Sequence, residues 1–520
     1  PARPSDPAPA PSSAPLSPTD PVGAAELPRT RVSVDYVVPT GRTITVNAGG
    51  DFQAALNAAQ AGDQIVLEAG ATFIGNFELP NKGDIGQPIT VRSSALNAGL
   101  PGPGTRVSPA NAGAMPKILT PNVAAALRTT PGTRGWQLVG LEISAAPSAP
   151  FVYALVSFGD VGSSQSSLGQ VPGRIVLDRS YVHGRDGYSV LRCVALNSAA
   201  TAVVNSYLQY CHMAGGESQA IAGWNGPGPF RIENNYLEAS TEVITLGGSD
   251  PSVANLVPSD IEIRRNHITR PMSWQGRWGV KNLIEFKMGQ RVLIQGNVIE
   301  NNWVDQQVGF AMLFWSVNQD GNAPWAVTRD ITIRDNVIRN TAQVLNIAAK
   351  GGNPSPSTSR ISVANNLMYR VGAAALGGGG RGIQILGNVS DVYIARNSLF
   401  ATSHTMMLDG GPMQNLRIVD NVLGRTDWGI FGAEGVGEGT RAFDRYAPAW
   451  AFSGNAMIGA SASIYPAGNL YPASASDIGV GSLAAGDYNL GSYGPQATVN
   501  GRPAGVDFGA LVAQTAGVVR

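Results

Sequence analysis

One arrangement of apolar and polar positions recurs along the chain: apolar, any, apolar, two polar residues, Asn, any, apolar. It is seen at Arg231–Glu238 (RIENNYLE), Ile261–Thr269 (IEIRRNHIT), Val292–Glu300 (VLIQGNVIE), Ile331–Arg339 (ITIRDNVIR) and Ile361–Tyr369 (ISVANNLMY). Val392–Phe400 and Leu416–Gly424 continue it, and degenerate copies stand at Ile175–His183, Ala202–Tyr210 and Phe452–Gly459. The shared polar position falls at Ser180, Ser206, Asn235, Asn266, Asn297, Asn336, Asn366, Asn397, Asn421 and Asn455. The gaps between these run from 24 to 39 residues, and each copy alternates as a half-buried strand does. That spacing reads as one structural repeat per copy.

A second apolar series interleaves with the first: Ala220–Trp224, Val243–Gly248, Leu283–Lys287, Gly309–Trp315, Val344–Ala349, Gly382–Gly387, Thr405–Gly411 and Gly429–Gly435. Two or three short strands per repeat, joined by Gly, Asn and Asp turns, predict an all-β parallel solenoid, each coil resting on the last. The recurring Asn is expected in the left-handed region at a corner, passing amide hydrogen bonds from coil to coil. The uneven gaps predict loops of variable length on one side. Upstream, Asp51 caps a stripe of Phe52, Ala55, Leu56 and Ala59, which predicts a short helix closing the first coil.

The ends differ from this body. Nine of the first 28 residues are Pro, so an extended arm over residues 1–28 precedes the solenoid at 29–459. Residues 460–520, rich in Gly, Ala and Ser, read as a capping segment over the last coils. The start at Pro1 suggests a signal peptide already removed, hence a secreted or cell-surface protein. Lys+Arg and Asp+Glu number 36 each, and charged residues make up 14% of the chain; about 25% is usual. A balance so neutral argues against nucleic acid as a partner. No apolar run is long enough for a membrane-spanning helix.

The stretch DFQAALNAAQAGDQIVLEAGATFIGNFELP (Asp51–Pro80) resembles the opening of secreted bacterial right-handed parallel β-helix proteins of the pectate-lyase-like superfamily. The Asn-bearing coils extend the resemblance over roughly 43–459. Glu217–Phe230 and Asn282–Trp303 look similar to uncharacterised members from environmental bacteria. The resemblance implies a right-handed parallel β-helix. Its members include polysaccharide lyases, glycosidases, esterases, adhesins and phage spikes, so it implies no single activity.

A polyuronate lyase needs a base for the proton α to the carboxylate, usually Lys or Arg in this fold, often with a Ca²⁺ held by acids. Leu283–Lys287 is the best local match. Its alternation turns Ile284 and Phe286 inward and places Glu285 and Lys287 on one outer face, where Glu242, Asn346 and Asp409 from nearby coils can join them. The candidate catalytic residues are Glu285, Lys287 and Asp409, with Trp224 and Trp315 as candidate sugar-stacking residues. Seven of the nine Trp lie between Trp224 and Trp428. The plainer reading of Glu285 and Lys287 is a solvated ion pair. The paired Asp of polygalacturonases, the Asp-rich calcium cluster of pectate lyases and the Lys and Arg motifs of chondroitinase-B-like lyases are missing.

His183, His212, His267 and His404 show no metal-ligand spacing and read as corner or surface residues. No resident cofactor is expected, unless a Ca²⁺ in a lyase. Cys193 and Cys211, 18 residues apart, fit either a disulfide between adjacent walls or two buried thiols. Two functions from different classes follow. The first is an extracellular structural protein that self-associates into a filament or surface layer, its Pro-rich arm contacting an identical subunit. The alternative is a polysaccharide lyase or glycoside hydrolase acting on an acidic or plant-derived polysaccharide.

Overall fold

The computed structural model describes residues 24–479 and 497–519. The chain is a right-handed parallel β-helix whose coils each contribute one strand to three long sheets, of 14, 13 and 13 strands. Sheet 1 runs from Thr43–Val46 to Trp450–Ser453, sheet 2 from Thr72–Ile74 to Ala456–Ile458, and sheet 3 from Phe77–Leu79 to Trp428–Gly432, onto which Gly437–Glu438 folds back antiparallel. At ~4.8 Å per coil the stack is about 60 Å long. Inward positions are aliphatic and in register: Ile263, Ile294, Ile333, Val363, Ile394 and Ile418 form one column of sheet 1, each 0% exposed. Every such column hides its strands on the inner face, which is why β-branched residues dominate it.

From Gly140–Leu141 onward the corner from sheet 1 to sheet 2 has a fixed length. It holds two residues, as at Asn234–Asn235 or Asp335–Asn336, and from Ser180 on the second is the repeat's Asn or Ser. The amide oxygen of each Asn accepts from the backbone N–H and the side-chain amide of the Asn one coil below: Asn297 Oδ1 takes Asn266 N at 2.9 Å and Asn266 Nδ2 at 3.1 Å. Its own Nδ2 donates to Ile263 O at 2.9 Å and to Asn336 Oδ1 at 2.9 Å. The ladder continues to Asn455, which reaches Asn469. One detail corrects the sequence reading. The left-handed residue is the one before the Asn (Asn234, Arg265, Asp335, Asn365, Arg396, Asp420), because the ladder needs the Asn side chain turned inward and leaves the sharp bend to its neighbour.

The helix Phe52–Ala58 closes the first coil: Asp51 caps it by accepting from Ala54 N at 2.9 Å, and Phe52 packs on Phe73 and Phe77. Both chain ends then run lengthwise over the rod. Residues 24–38 cross the outer face of sheet 1 against the coil order. Glu26 N donates to Asp330 at 3.1 Å, Arg29 N to Asp260 at 2.8 Å and Val37 N to Gln137 at 3.0 Å, while Arg31 pairs with Glu262 at 2.8 Å. The arm residues before Ala24, assigned to a neighbouring subunit in the sequence reading, lie outside the described residues. At the other end the hairpin of Ala497–Val499 and Arg502–Ala504 sits on the last coils through Val422 and Ala456. The chain then doubles back over sheet 2, where Val506, Leu511 and Val518 cover Val298, Val337 and Leu367.

Sheets 1 and 2 are thus strapped by the termini. Sheet 3 is not. Insertions crowd both of its corners: residues 184–191, 212–218, 270–283, 303–309 and 372–382 on the side of sheet 2, and 159–172, 247–258, 317–327 and 351–358 on the side of sheet 1, while residues 94–116 form a further one between sheets 1 and 2. The sequence reading placed the variable loops on one side; two banks of them flank a single face. No described helix is long and apolar enough to cross a membrane.

Candidate functional site

The outer face of sheet 3, between these banks, carries an ionic cluster. Glu242 and Glu285 lie on adjacent coils, Glu285 in register with Thr245, and are 2% and 1% exposed. Gln219 Nε2 donates to Glu242 Oε2 at 2.9 Å, and Lys281 lies 3.7 Å from Glu242 Oε1 and also pairs with Glu217. Asn282 Nδ2 donates to Glu285 Oε2 at 3.0 Å and to Gln307 Oε1 at 2.9 Å. No hydrogen bond reaches Glu285 Oε1, and Lys287 Nζ stands 3.4 Å from it. Lys287 has room for its stem because residue 247, beside it in the previous coil, is Gly: a Cβ there would come within 2.9 Å of Lys287 Cβ, and φ is +91°. The sequence reading of a solvated pair is corrected here, since Glu285 is buried.

Two arginines complete the cluster. Arg192 lies over the ring of Trp224 at 5.1 Å, with a buried Nε that lacks a hydrogen bond. Arg270, fully buried, anchors the base of the 270–283 loop by donating to Asn302 Oδ1 at 2.5 Å and to the Thr241 and Asn282 carbonyls. Three carboxylates (Glu217, Glu242, Glu285) therefore face four cations (Lys281, Lys287, Arg192, Arg270). Burial and the neighbouring Glu285 and Glu217 carboxylates push Glu242 up to about 7, so it carries a proton for part of the time near neutrality. Burial works against the charge of Lys281, but Glu217 and Glu242 more than offset it and its pKa is raised. Burial lowers Arg192, and lowers Arg270 to about 9. Lys281 and Lys287 are the cations that lie against the Glu242 and Glu285 carboxylates, while Arg270 is buried beneath the loop.

The other sequence candidates fall on the same sheet but apart. Trp224 and Trp315 are half-buried and flank the Lys287 column, Trp224 one coil beyond Gly247 and Trp315 one coil beyond Lys287. Asn346 stands in the column of Glu285, two coils on. Asp409 is four coils from Glu285, about 19 Å at the coil spacing, and does not join the cluster. Glu217, Gln219, Lys281, Arg192 and Arg270 were missed because they lie in insertions or at strand starts where the repeat is silent. Cys193 and Cys211 form a disulfide between successive coils beside this site. His212, expected at a corner or on the surface, is fully buried: its ring stacks on Trp278 at 4.0 Å and meets the edge of Trp274, and neither nitrogen has a hydrogen bond. Burial lowers it to about 4.

A calcium ion would need several converging oxygens. Glu242 and Glu285 already face ammonium and amide groups, and among the described residues no three His, Cys, Asp or Glu side chains converge to hold a metal. The residues present do not fit the ion.

No protein-family model and no curated protein matches the chain. Solved structures do. A mannuronic acid specific polysaccharide family 6 lyase from human gut microbiota aligns over 84% of this chain and 93% of its own, with 13% identity and a TM-score of 0.53. A PL6 family alginate lyase aligns over 90% of this chain and 58% of its own, with 12% identity and a TM-score of 0.44. At such identities the likeness is one of fold.

Proposed function

We propose that the protein is an extracellular polysaccharide lyase that cleaves an anionic, uronate-containing glycan in the groove over sheet 3. The observation that carries this reading is the buried cluster itself. Burying charged groups is expensive, and this face buries Glu242 and Glu285 while leaving Glu285 Oε1, Gln219 Oε1 and Arg192 Nε without hydrogen bonds. The Lys281, Lys287 and Arg192 side chains suit a carboxylate-bearing chain, the loop banks suit a polymer lying along the axis, and the disulfide suits an oxidising compartment. The fold shared with the polysaccharide lyase is compatible with it.

In this reading Lys281 and Arg192 bind the uronate carboxylate and offset the charge that grows on it. Lys287 acts in its unprotonated form, with the Glu285 carboxylate 3.4 Å away to stabilise the ammonium that results. The free amine then takes the proton from the carbon α to the carboxylate. That electron pair forms the ring double bond as the bond to the glycosidic oxygen breaks, and the departing oxygen takes a proton from solvent. Glu242, titrating near 7 beside Glu285, keeps the pair from holding two full negative charges. Self-association through the arm has no observation among the described residues that favours it.

The test is a panel of polymannuronate, polyguluronate and polygalacturonate, followed by the absorbance of unsaturated products. Lys287→Ala is expected to lower the rate by about 10³-fold while the protein stays folded. Retained activity in that variant, or no cleavage of any polyuronate, overturns the reading. Saturated products would assign Glu242 and Glu285 to hydrolysis instead.

A further inference from the structure

Glu285, Leu313, Asn346, Gln384, Met407 and Phe431 form one in-register column along the groove. Its far end lies five coils from Glu285, about 24 Å at the coil spacing. A second group of side chains gathers there. Trp428 is 42% exposed, its ring 5.0 Å from Phe431, and His404 closes the platform with its ring 5.2 Å from Phe431. Beside it stands Arg381, whose charge helps to lower the pKa of His404. Arg381 Nη1 donates to Gln384 Oε1 at 2.7 Å, and Gln384 Nε2 in turn to Asn346 at 3.3 Å. Arg381 Nε is buried with no hydrogen bond, and Gln343 Oε1 nearby is likewise unsatisfied. Among the described residues no carboxylate pairs with Arg381.

The glycine run Gly377–Gly380 has its place here. A Cβ on Gly378 would come within 2.7 Å of Val304 Cγ2 and 3.3 Å of Ala342 Cβ, and one on Gly380 within 2.2 Å of Thr402 Oγ1; φ is +82° and +58° at the two positions. Only residues without a side chain let the 372–382 loop press onto its neighbours and bring Arg381 to the groove wall.

We infer that Arg381, Gln384, Trp428 and Phe431 form a distal subsite that binds a uronate residue of the same polymer, about five sugars from the ionic cluster. An indole face takes the C–H face of a pyranose, and a guanidinium without a carboxylate partner takes the sugar's carboxylate. This inference rests on the polyuronate reading of the cluster and adds a length requirement: long chains span both sites and short ones do not.

The experiment compares the full-length protein with Trp428→Ala and Arg381→Gln on a uronate trisaccharide and on chains of eight or more residues. In both variants kcat/KM on the long chain is expected to fall about tenfold, with less than about twofold on the trisaccharide, and Trp428→Phe to recover part of the loss. Arg381→Gln should weaken binding of the uronate chain but not of its carboxyl-reduced counterpart. Equal losses on both lengths, or none, overturn the subsite while leaving the lyase reading intact. Binding is read separately, by titrating Lys287→Ala protein with the uncleaved long chain. Binding that depends on Trp428 in a protein that cleaves no polyuronate keeps the subsite and removes the lyase reading.

Discussion

Two regions of this molecule treat buried polar groups in opposite ways. Along the ladder at the corner between sheets 1 and 2 each Asn side chain both donates and accepts, and the segment holds two residues in every coil from Arg179–Ser180 on. On the outer face of sheet 3 the segments vary in length, the buried groups are charged, and several of their atoms go unsatisfied. Neutral amides stacked in a file satisfy one another and so can be hidden at little net penalty, whereas the Glu242, Glu285, Lys281 and Lys287 group holds its charges against burial. The first region makes the rod. The second is what the rod displays.

That contrast can be broken by experiment, beginning where the effect is largest. Asn297→Ala removes the partner of Asn266 N, Asn266 Nδ2 and Ile263 O together, and should destabilise the fold by about 4 kcal/mol. Chemical denaturation checks this, and a loss below about 1 kcal/mol would show that the ladder does not hold the coils. Glu242→Gln should act the other way. The folded protein raises Glu242 from 4.5 to about 7 and so holds a proton that the unfolded chain has released. The native Glu is thus tolerated below pH 4.5 and becomes destabilising as pH rises to 7, by about 3 kcal/mol at most. The variant should therefore gain stability over the parent at pH 8 and little at pH 4.5; a pH-independent difference would contradict the placement of that charge.

The smallest effect is expected at His212. Burial lowers it from 6.5 to about 4, so its neutral form stabilises the fold above pH 6.5 and that contribution is lost as pH falls toward 4. His212→Phe keeps the stacking against Trp278 and removes the titration, and it should flatten the acid limb of the stability profile by about 2 kcal/mol at pH 4.5. An unchanged acid limb would assign that limb to other groups.

The architecture was legible because a solenoid repeats its instructions. The period, the Asn corner and the helix capped by Asp51 each follow from residues that recur or that face a fixed neighbour. The left-handed position was misread by one residue, since an Asn explains a sharp bend as readily as it explains a ladder, and only the hydrogen bonds separate the two. The site was legible where it coincided with the repeat: Glu285 and Lys287 alternate with Ile284 and Phe286 inside one strand. Lys281, Arg192 and Glu217 gave no such signal. Their positions depend on how insertions of unequal length fold over a common face, and nothing periodic encodes that. Burial was equally hidden, so His212 and Glu285 both read as solvated residues.

The stretch from Glu26 to Val37 touches coils that never touch one another. A stack held only by adjacent layers can peel from either tip, one layer at a time. Here Asp330, Asp260 and Gln137 are joined by a single extended cord, so coils that share no ladder bond are held to one another. Such a tie turns gradual unravelling toward an all-or-none event, and it can be fastened only after the coils it crosses are already in place.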